Sequence, residues 1–357
     1  RLLAVPRLSL AEGTVPSPSP APEWPDDHPA LMSFTSGSTG RAKAILRSHG
    51  FLAAQDRAVA PLLASERQEV DLVAFPVFVL GNLGSGVTSA LPNWPLRRPD
   101  RADPQAIRAH CAAHGVTRLL LPPILAEALA DAPLPPRVTA LFTGGGPVFP
   151  DVTDRLLALN PALRIVAVYG STEAEPIAEL EISALSAADR ARIAAGEGLL
   201  AGPPVAAAQV RIAGGEILVT GAHVVETYVD PADNAATKTR DEHGTIWHRT
   251  GDGGRFDEQG RLWLLGRMQG RIGELWPFAI EVAARGWPGV RRAALTARGA
   301  EPCLAIEGDA AHLSHWREAA AALGVTQVVA LKTIPLDRRH RSKVDYARLA
   351  KAVRSAG

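Results

Sequence analysis

Several short stretches of this chain place hydroxyls, glycines and charges where chemistry could be done. "TSGSTGRAK" (35–43) sets Thr35, Ser36, Gly37, Ser38, Thr39 and Gly40 in a row and follows them with Lys43. Glycine lets a backbone approach an anion closely, N–H nests bind phosphate oxygens, and a lysine adds a mobile positive charge. The spacing is not that of the GxxxxGK[ST] phosphate loop, so that fold is not implied. "YGSTE" (169–173) ends an apolar run in Tyr169, Gly170, Ser171, Thr172 and Glu173. A carboxylate beside phosphates can hold Mg²⁺, which takes one or two carboxylates plus phosphate oxygens. "RTGD" (249–252) puts Asp252 in a tight turn, where a carboxylate can accept both hydroxyls of a ribose. "LLGRMQGRI" presents Arg267 after an apolar run, and "PLDRRHRSKVD" presents Lys343 in a basic loop. Singly, each has a plain structural reading: a surface turn, a helix-start carboxylate, a turn former, a solvated lysine. Their order along one chain is what argues against those plain readings.

The elements that must position these residues are read from the apolar pattern. "VDLVAF" (70–75), "VTRLLLPP" (116–123), "RVTALFTGGG" (137–146) and "LRIVAVYGSTE" (163–173) read as strands. Helical stretches at 103–115, 124–132 and 150–161 alternate with them. Such alternation predicts a largely parallel sheet covered by helices, with ligands beyond the carboxyl ends of the strands. From about 205 to 265 short β segments take over. The tail from about 270 predicts a helix near 278–286, strands near 293–297 and 303–307, a helix at 311–323, a strand at 326–331 and a last helix. The fold class is therefore α/β: a large domain with a mostly parallel sheet and a small β-rich subdomain, then a small α+β domain at the carboxyl end. The boundaries are a proline-rich extended segment at 1–30, a core at 31–267 and the terminal unit at 268–357.

Bulk properties limit the function classes. At 357 residues two domains are expected. A net charge of +1 without long like-charge runs argues against nucleic acid or a membrane surface as the main partner. No apolar run approaches the roughly 20 residues a membrane span needs. Cys111 and Cys303 lack metal-binding or CxxC spacing, so neither a zinc site nor a disulfide is expected, and a reducing cytoplasm is. The chain opens on Arg1 with no secretory signal pattern, which reads as a processed or trimmed front.

In that order, "TSGSTGRAK" with His49 after it, "FPVFVLGNLGSG" (75–86), "GGG" (144–146), "YGSTE", "GEILVTG" with Tyr228, "HRTGD", "DEQGRLWLLGR" and the late lysine resemble the adenylate-forming superfamily of acyl-CoA synthetases, peptide-synthetase adenylation domains and luciferases. "FPVFVLGNLGSGVTSALP" and "IPLDRRHRSKVD" resemble the olefin-pathway β-lactone synthetases and their acyl ligase relatives within it. The resemblance implies that a carboxylic acid is joined to AMP from ATP with Mg²⁺, releasing pyrophosphate. It implies that residues 35–40 and Lys43 cradle the phosphates and that Gly144, Gly145, Gly146, Tyr169, Gly170 and Ser171 line the nucleotide slot. Thr172 would touch the α-phosphate, Glu173 would hold Mg²⁺, and Asp252 with Arg267 would grip the ribose. Lys343 would bridge carboxylate and α-phosphate. The acid's tail would run along a strand at 75–86, past Phe78, Val79, Leu80 and Asn82, which suggests a fatty, β-hydroxy or aromatic acid.

Three departures from the family pattern bear on the fate of an acyl-adenylate. Only 34 residues precede the signature loop, so the chain reads as a fragment, a subunit of a split enzyme or a reduced form, with a homodimer or partner chain covering bare apolar surface. The hinge position, where the terminal domain of the family rotates, holds Gln269. The hairpin after it, "RIGELWPFAIE" (271–281), is compressed, which weighs against a CoA or carrier-protein acceptor and toward closure by a hydroxyl of the same substrate. The alternative is a degenerate nucleotide-binding or scaffold subunit.

Overall fold

The computed structural model describes residues 23–36, 42–95, 99–337 and 343–355. It opens with an antiparallel hairpin, β1 (Pro29–Ser36) and β2 (Ala42–Ser48), which sets Thr35 opposite Lys43. The Ser48 hydroxyl accepts from the Phe51 N–H and caps α1 (His49–Leu63). Next comes a β/α run: β3 (Val70–Val73), α2 (Pro76–Ser85), β4 (Thr88–Ala90), α3 (Pro104–Ala113), β5 (Arg118–Leu121), α4 (Pro123–Leu129), β6 (Ala140–Gly144), α5 (Pro150–Leu159) and β7 (Arg164–Ser171). β8 (Ala174–Glu181) turns back on β7. The six-stranded sheet runs β4-β3-β5-β6-β7-β8, parallel except for β8. This is the largely parallel sheet that the alternation predicts.

The strand expected at 75–86 is instead helix α2, closed by Gly86 at φ 71° with its N–H on the Asn82 carbonyl. A short continuous apolar run does not distinguish strand from helix by periodicity; a left-handed glycine at its end decides for helix.

After α6 (Ala187–Ala194) come β9 (Leu199–Gly202), β10 (Gln209–Ala213), β11 (Glu216–Thr220), β12 (Lys238–Arg240), β13 (Ile246–Phe256) and β14 (Leu262–Arg267), in a second sheet of order β10-β11-β13-β14-β9 with β12 beside β13. Helix α7 (Pro277–Arg285) leads to a third sheet of β15 (Val290–Arg298), β16 (Glu301–Gly308) and β17 (Gln327–Leu331), with α8 (Leu313–Ala322) and α9 (Tyr346–Ser355).

Helix α7 belongs to two cores at once. Val282, with Phe278 against it, joins the main cluster of Leu119, Leu141, Leu156 and Trp263. Ile280 and Ala284 join the cluster of the third sheet. Its entry is notched into glycines: a Cβ on Gly253 would lie 2.2 Å from Trp276 Cζ3, and one on Gly266 2.9 Å from Pro277 Cβ. Two ion pairs flank the joint, Arg285 to Asp151 (2.8 and 2.6 Å) and Arg292 to Glu127 (2.7 Å). Burying one large aliphatic or aromatic side chain contributes about 1.5–3 kcal/mol, while in these two largely buried ion pairs desolvation offsets much of the attraction. Phe278 and Val282 therefore carry most of this joint, and the charges set its register.

On the other face of α7, Glu281 accepts hydrogen bonds from Leu295 N–H (3.0 Å) and the Tyr346 hydroxyl (3.2 Å). Burial pushes its carboxyl up to about 7, against those bonds and Arg285. A folded-state pKa above the unfolded one adds stability at low pH that is lost as pH rises through about 7. Glu281→Gln keeps the acceptor and removes the charge. In urea unfolding it should be near-neutral at pH 5 and stabilising by about 2 kcal/mol at pH 8; a difference that does not change with pH would contradict this.

Candidate functional site

The polar motifs converge on two carboxylates, Glu173 and Asp252. Glu173 lies in the turn between β7 and β8, where its N–H donates to the Ser171 hydroxyl (3.2 Å). Its Oε1 accepts from the Tyr228 hydroxyl at 2.8 Å, and its carbonyl accepts from Val225 N–H at 2.8 Å. Burial opposes ionisation of this carboxyl, but His248, the Tyr228 hydroxyl and Ser171 outweigh it and hold the pKa below the usual value. Burial, together with the same contact, raises the Tyr228 phenol.

Cations surround this carboxylate. Lys43 projects from β2 with its ammonium 4.9 Å from the Tyr228 ring centre and 3.4 Å from the Asp233 carbonyl. Arg47, four residues on and buried, donates Nη2 to the Thr172 carbonyl at 2.7 Å. Alternation along β2 puts Lys43, Ile45 and Arg47 on the covered face and leaves Leu46 with Met32 and Phe34 on the bare face. Lys238 lies 5.4 Å from the Tyr228 ring centre. Burial brings Lys238 down to about 8 and, with Lys238 beside it, His248 down to about 4. Neighbouring Glu175 is pushed up to about 7 by burial, with Arg47 opposing.

Asp252 accepts from the Tyr169 hydroxyl at 3.0 Å and pairs with Arg267 Nε at 3.2 Å. The tight turn expected at 249–252 is instead strand: Asp252 lies within β13, and the register of β13 and β14 sets it opposite Arg267. Arg267 also donates to the Thr250 carbonyl at 2.9 Å. Lys343 is held by its backbone: its N–H donates to Asp337 Oδ1 at 3.0 Å, and Asp337 N–H donates to its carbonyl at 2.8 Å. Its side chain reaches solvent, yet surrounding protein and the charge of Arg267 lower its pKa, while Asp252, Asp337 and Glu173 act the other way. The late lysine thus stands in the field of both carboxylates.

The remaining expected residues divide. Gly37, Ser38, Thr39 and Gly40 lie outside the described residues, and Ser36 pairs with Ala42 at the end of β1. Thr35 Oγ1 is buried with no protein hydrogen-bond partner among the described residues. Gly144 and Gly170 have structural reasons to be glycine: a Cβ would stand 2.5 Å from the Val168 carbonyl oxygen in the first case and 2.9 Å from that of Ala174 in the second. Gly145 takes φ 76° beside Phe75, and Gly146 comes next. Thr172 is exposed, and Gln269 sits exposed in a 3₁₀ turn, Met268–Gly270. Phe78 and Val79 pack on the core with Leu120 and Phe142, while Leu80 is exposed. Asn82 is buried, donating to Asp71 Oδ2 and Ser89 Oγ (both 3.0 Å) beside the Asp71–Arg118 ion pair. It anchors α2 as well as bordering a groove of about 400 Å³ with Val79, Leu83 and Leu91.

Sequence reasoning singled out neither Arg47, Lys238 nor His248. The β12–β13 register pairs Lys238 with His248, and the meeting of that sheet with the β7–β8 turn sets both near Glu173, which the sequence does not encode. The site suits a magnesium nucleotide. Thr35 offers a buried hydroxyl without a partner among the described residues, opposite a lysine, and Glu173 offers one ionised carboxylate, the donor set Mg²⁺ takes when phosphates complete it. Among the described residues no three His, Cys, Asp or Glu cluster as a closed metal cage.

Comparison with known proteins places the chain in a family. Residues 4–229 match the family described as AMP-binding enzyme. The chain belongs to that family. It is 33% identical over 366 residues to an olefin beta-lactone synthetase of Stenotrophomonas maltophilia, covering 90% of this chain and 66% of that protein. A second olefin beta-lactone synthetase, from Xanthomonas campestris pv. campestris, is 33% identical over 373 residues, covering 91% and 66%. The chain thus spans about two thirds of the length of these relatives. The amide bond synthetase McbA from Marinactinospora thermotolerans shares the fold with a TM-score of 0.77 at 23% identity, over 96% of this chain and 72% of that one. O-succinylbenzoate Coenzyme A Synthetase (MenE) from Bacillus subtilis, solved with ATP and magnesium, matches with a TM-score of 0.71 at 21% identity, over 91% and 70%.

Removing the Tyr228 hydroxyl tests the geometry around Glu173. Tyr228→Phe takes one donor from the ionised carboxylate, so its pKa rises. The acid limb of magnesium–ATP binding, monitored by calorimetry, should move up by about one pH unit. An unmoved limb would show that this hydrogen bond does not govern Glu173.

Proposed function

We propose that the protein activates a carboxylic acid as its acyl-adenylate, and that the second step closes a β-lactone. The observation that carries the first half is the placement of Lys343 in the field of both Asp252 and Glu173, the nucleotide-gripping and metal-holding carboxylates in this reading. A carboxylate oxygen attacks the α-phosphorus of ATP, the bond to pyrophosphate breaks, and pyrophosphate leaves. Lys43 and the loop before it hold the outer phosphates. Asp252 accepts the ribose hydroxyls, with Arg267 and Tyr169 fixing its orientation, and Thr172 borders the α-phosphate. Mg²⁺, when bound at Glu173, neutralises phosphate charge. Lys343 offsets negative charge as it develops between carboxylate and phosphate; one preorganised donor of this kind contributes about 3 kcal/mol of transition-state stabilisation.

For the second half, a β-hydroxyl oxygen attacks the acyl carbonyl, its proton passes to the departing phosphate or to solvent, and AMP leaves with the bridging oxygen, giving a four-membered lactone. Oriented intramolecular attack reaches effective molarities of about 10⁵ M or more, so no second substrate is needed. Two relatives at 33% identity that bear the name olefin beta-lactone synthetase support this route over transfer to CoA. The acyl tail lies along α2, where Leu80 and Leu83 are exposed beside the groove. In this reading residues 31–267 form the adenylating core, 268–357 the unit that brings Lys343, and Gln269 the joint between them. The bare face of Met32, Phe34 and Leu46 is covered by further protein, either a second copy or the portion by which the relatives are longer. The reducing cytoplasm is its compartment.

Pyrophosphate exchange into ATP, dependent on a β-hydroxy fatty acid, tests the proposal. Lys343→Ala should lose at least ~100-fold in exchange, about the loss of one preorganised donor, while binding ATP within a few-fold of the parent. Exchange that survives Lys343→Ala, or no exchange with fatty, β-hydroxy or aromatic acids, would overturn the reading and leave a nucleotide-binding scaffold.

A further inference from the structure

Lys238 is not part of the motifs that define the site, yet it is built into it. It opens β12 opposite His248 in β13. Its ammonium donates to the Val225 carbonyl and lies 3.3 Å from His248 Nδ1, which in turn is 3.2 Å from the Thr237 carbonyl. The Val225 N–H holds the Glu173 carbonyl at 2.8 Å. Three residues on, the Tyr228 hydroxyl holds Glu173 Oε1, also at 2.8 Å. Segment 225–228 therefore grips Glu173 by both its backbone and its carboxylate, and Lys238 grips that segment from behind. Tyr228 is steadied from a second side, since its N–H donates to Asn234 Oδ1 at 3.0 Å. The Lys238 ammonium is thus committed to the Val225 carbonyl and the His248 imidazole.

We propose that Lys238 is a positioning residue for adenylation: by tying β12 to the Val225 carbonyl it keeps the Tyr228 hydroxyl and the Glu173 carboxylate aligned to receive the metal ion. This rests on Glu173 being the metal-holding carboxylate of the proposed function. The direction of the effect separates positioning from plain charge. An ammonium repels a dication, so if charge alone mattered, deleting it would tighten metal binding. If alignment matters, deleting it loosens metal binding although a positive charge has gone.

The test uses the full chain already saturated with a non-hydrolysable ATP analogue, and titrates Mn²⁺ as probe onto that complex by electron paramagnetic resonance. Lys238→Met should weaken Mn²⁺ at least five-fold, and kcat for pyrophosphate exchange should fall at least ten-fold. AMP affinity, which reads the Asp252 side of the site, should stay within two-fold, and Lys238→Arg should recover most of the loss. In the Tyr228→Phe background, Lys238→Met should cost little more, because both act through one contact. Unchanged or tighter Mn²⁺ in Lys238→Met would overturn the proposal, as would a parallel loss of AMP affinity. If Lys238→Met does not fold, Lys238→Gln and Lys238→Arg supply the comparison. A Glu173→Gln control that binds Mn²⁺ as the parent does would remove the metal assignment and this inference together. A control that abolishes Mn²⁺ binding while Lys238→Met leaves it intact would overturn this inference alone.

Discussion

The site depends on keeping one carboxylate ionised in a place largely withdrawn from water. An unpaired buried charge costs several kcal/mol, so it must be met by donors and counter-charges. Glu173 is met by the Tyr228 hydroxyl, with Lys43, Lys238 and Arg47 nearby. The first sheet supplies Glu173 at the turn from β7 to β8, the hairpin supplies Lys43 and Arg47 from β2, and the second sheet supplies Lys238 and His248. No one of these layers makes the site alone, and the carboxylate fixes how they must meet.

Asp252 obeys the same rule at lower cost, because it retains access to solvent and pairs with Arg267 across one strand register. The late lysine is the last part to arrive in the chain. Its position is set by the third sheet, which α7 couples to the main core through Phe278 and Val282 on one side and Ile280 and Ala284 on the other. Glycines at 253 and 266 are needed because Trp276 and Pro277 fill the space a Cβ would occupy. A unit seated in this way brings Lys343 to the carboxylates by packing, with ion pairs at Asp151 and Glu127 setting its register.

Much of this is legible in the sequence wherever the signal is local. The strands ending at Gly144 and Ser171 carry uninterrupted apolar runs into glycines and hydroxyls, and each of the tail's elements shows its own period. Segment 75–86 reads wrongly as a strand because its apolar run has no period to separate strand from helix, and the deciding left-handed glycine at 86 is a backbone fact. Asn82, expected among pocket residues, also holds α2 to Asp71, since a buried amide next to an ion pair leaves no mark in sequence. Lys238, His248 and Arg47 escape notice for a related reason. Their proximity to Glu173 arises where three separate sheets meet across long separations, which residue types and spacing do not encode.

The central claim is that a carboxylate oxygen becomes bonded to the α-phosphorus of ATP. The most direct measurement supplies a β-hydroxy acid labelled with ¹⁸O in its carboxylate and reads the products by mass spectrometry. One labelled oxygen in each AMP released, with unlabelled pyrophosphate, is the result this account predicts. Unlabelled AMP, or label in inorganic phosphate, would contradict it.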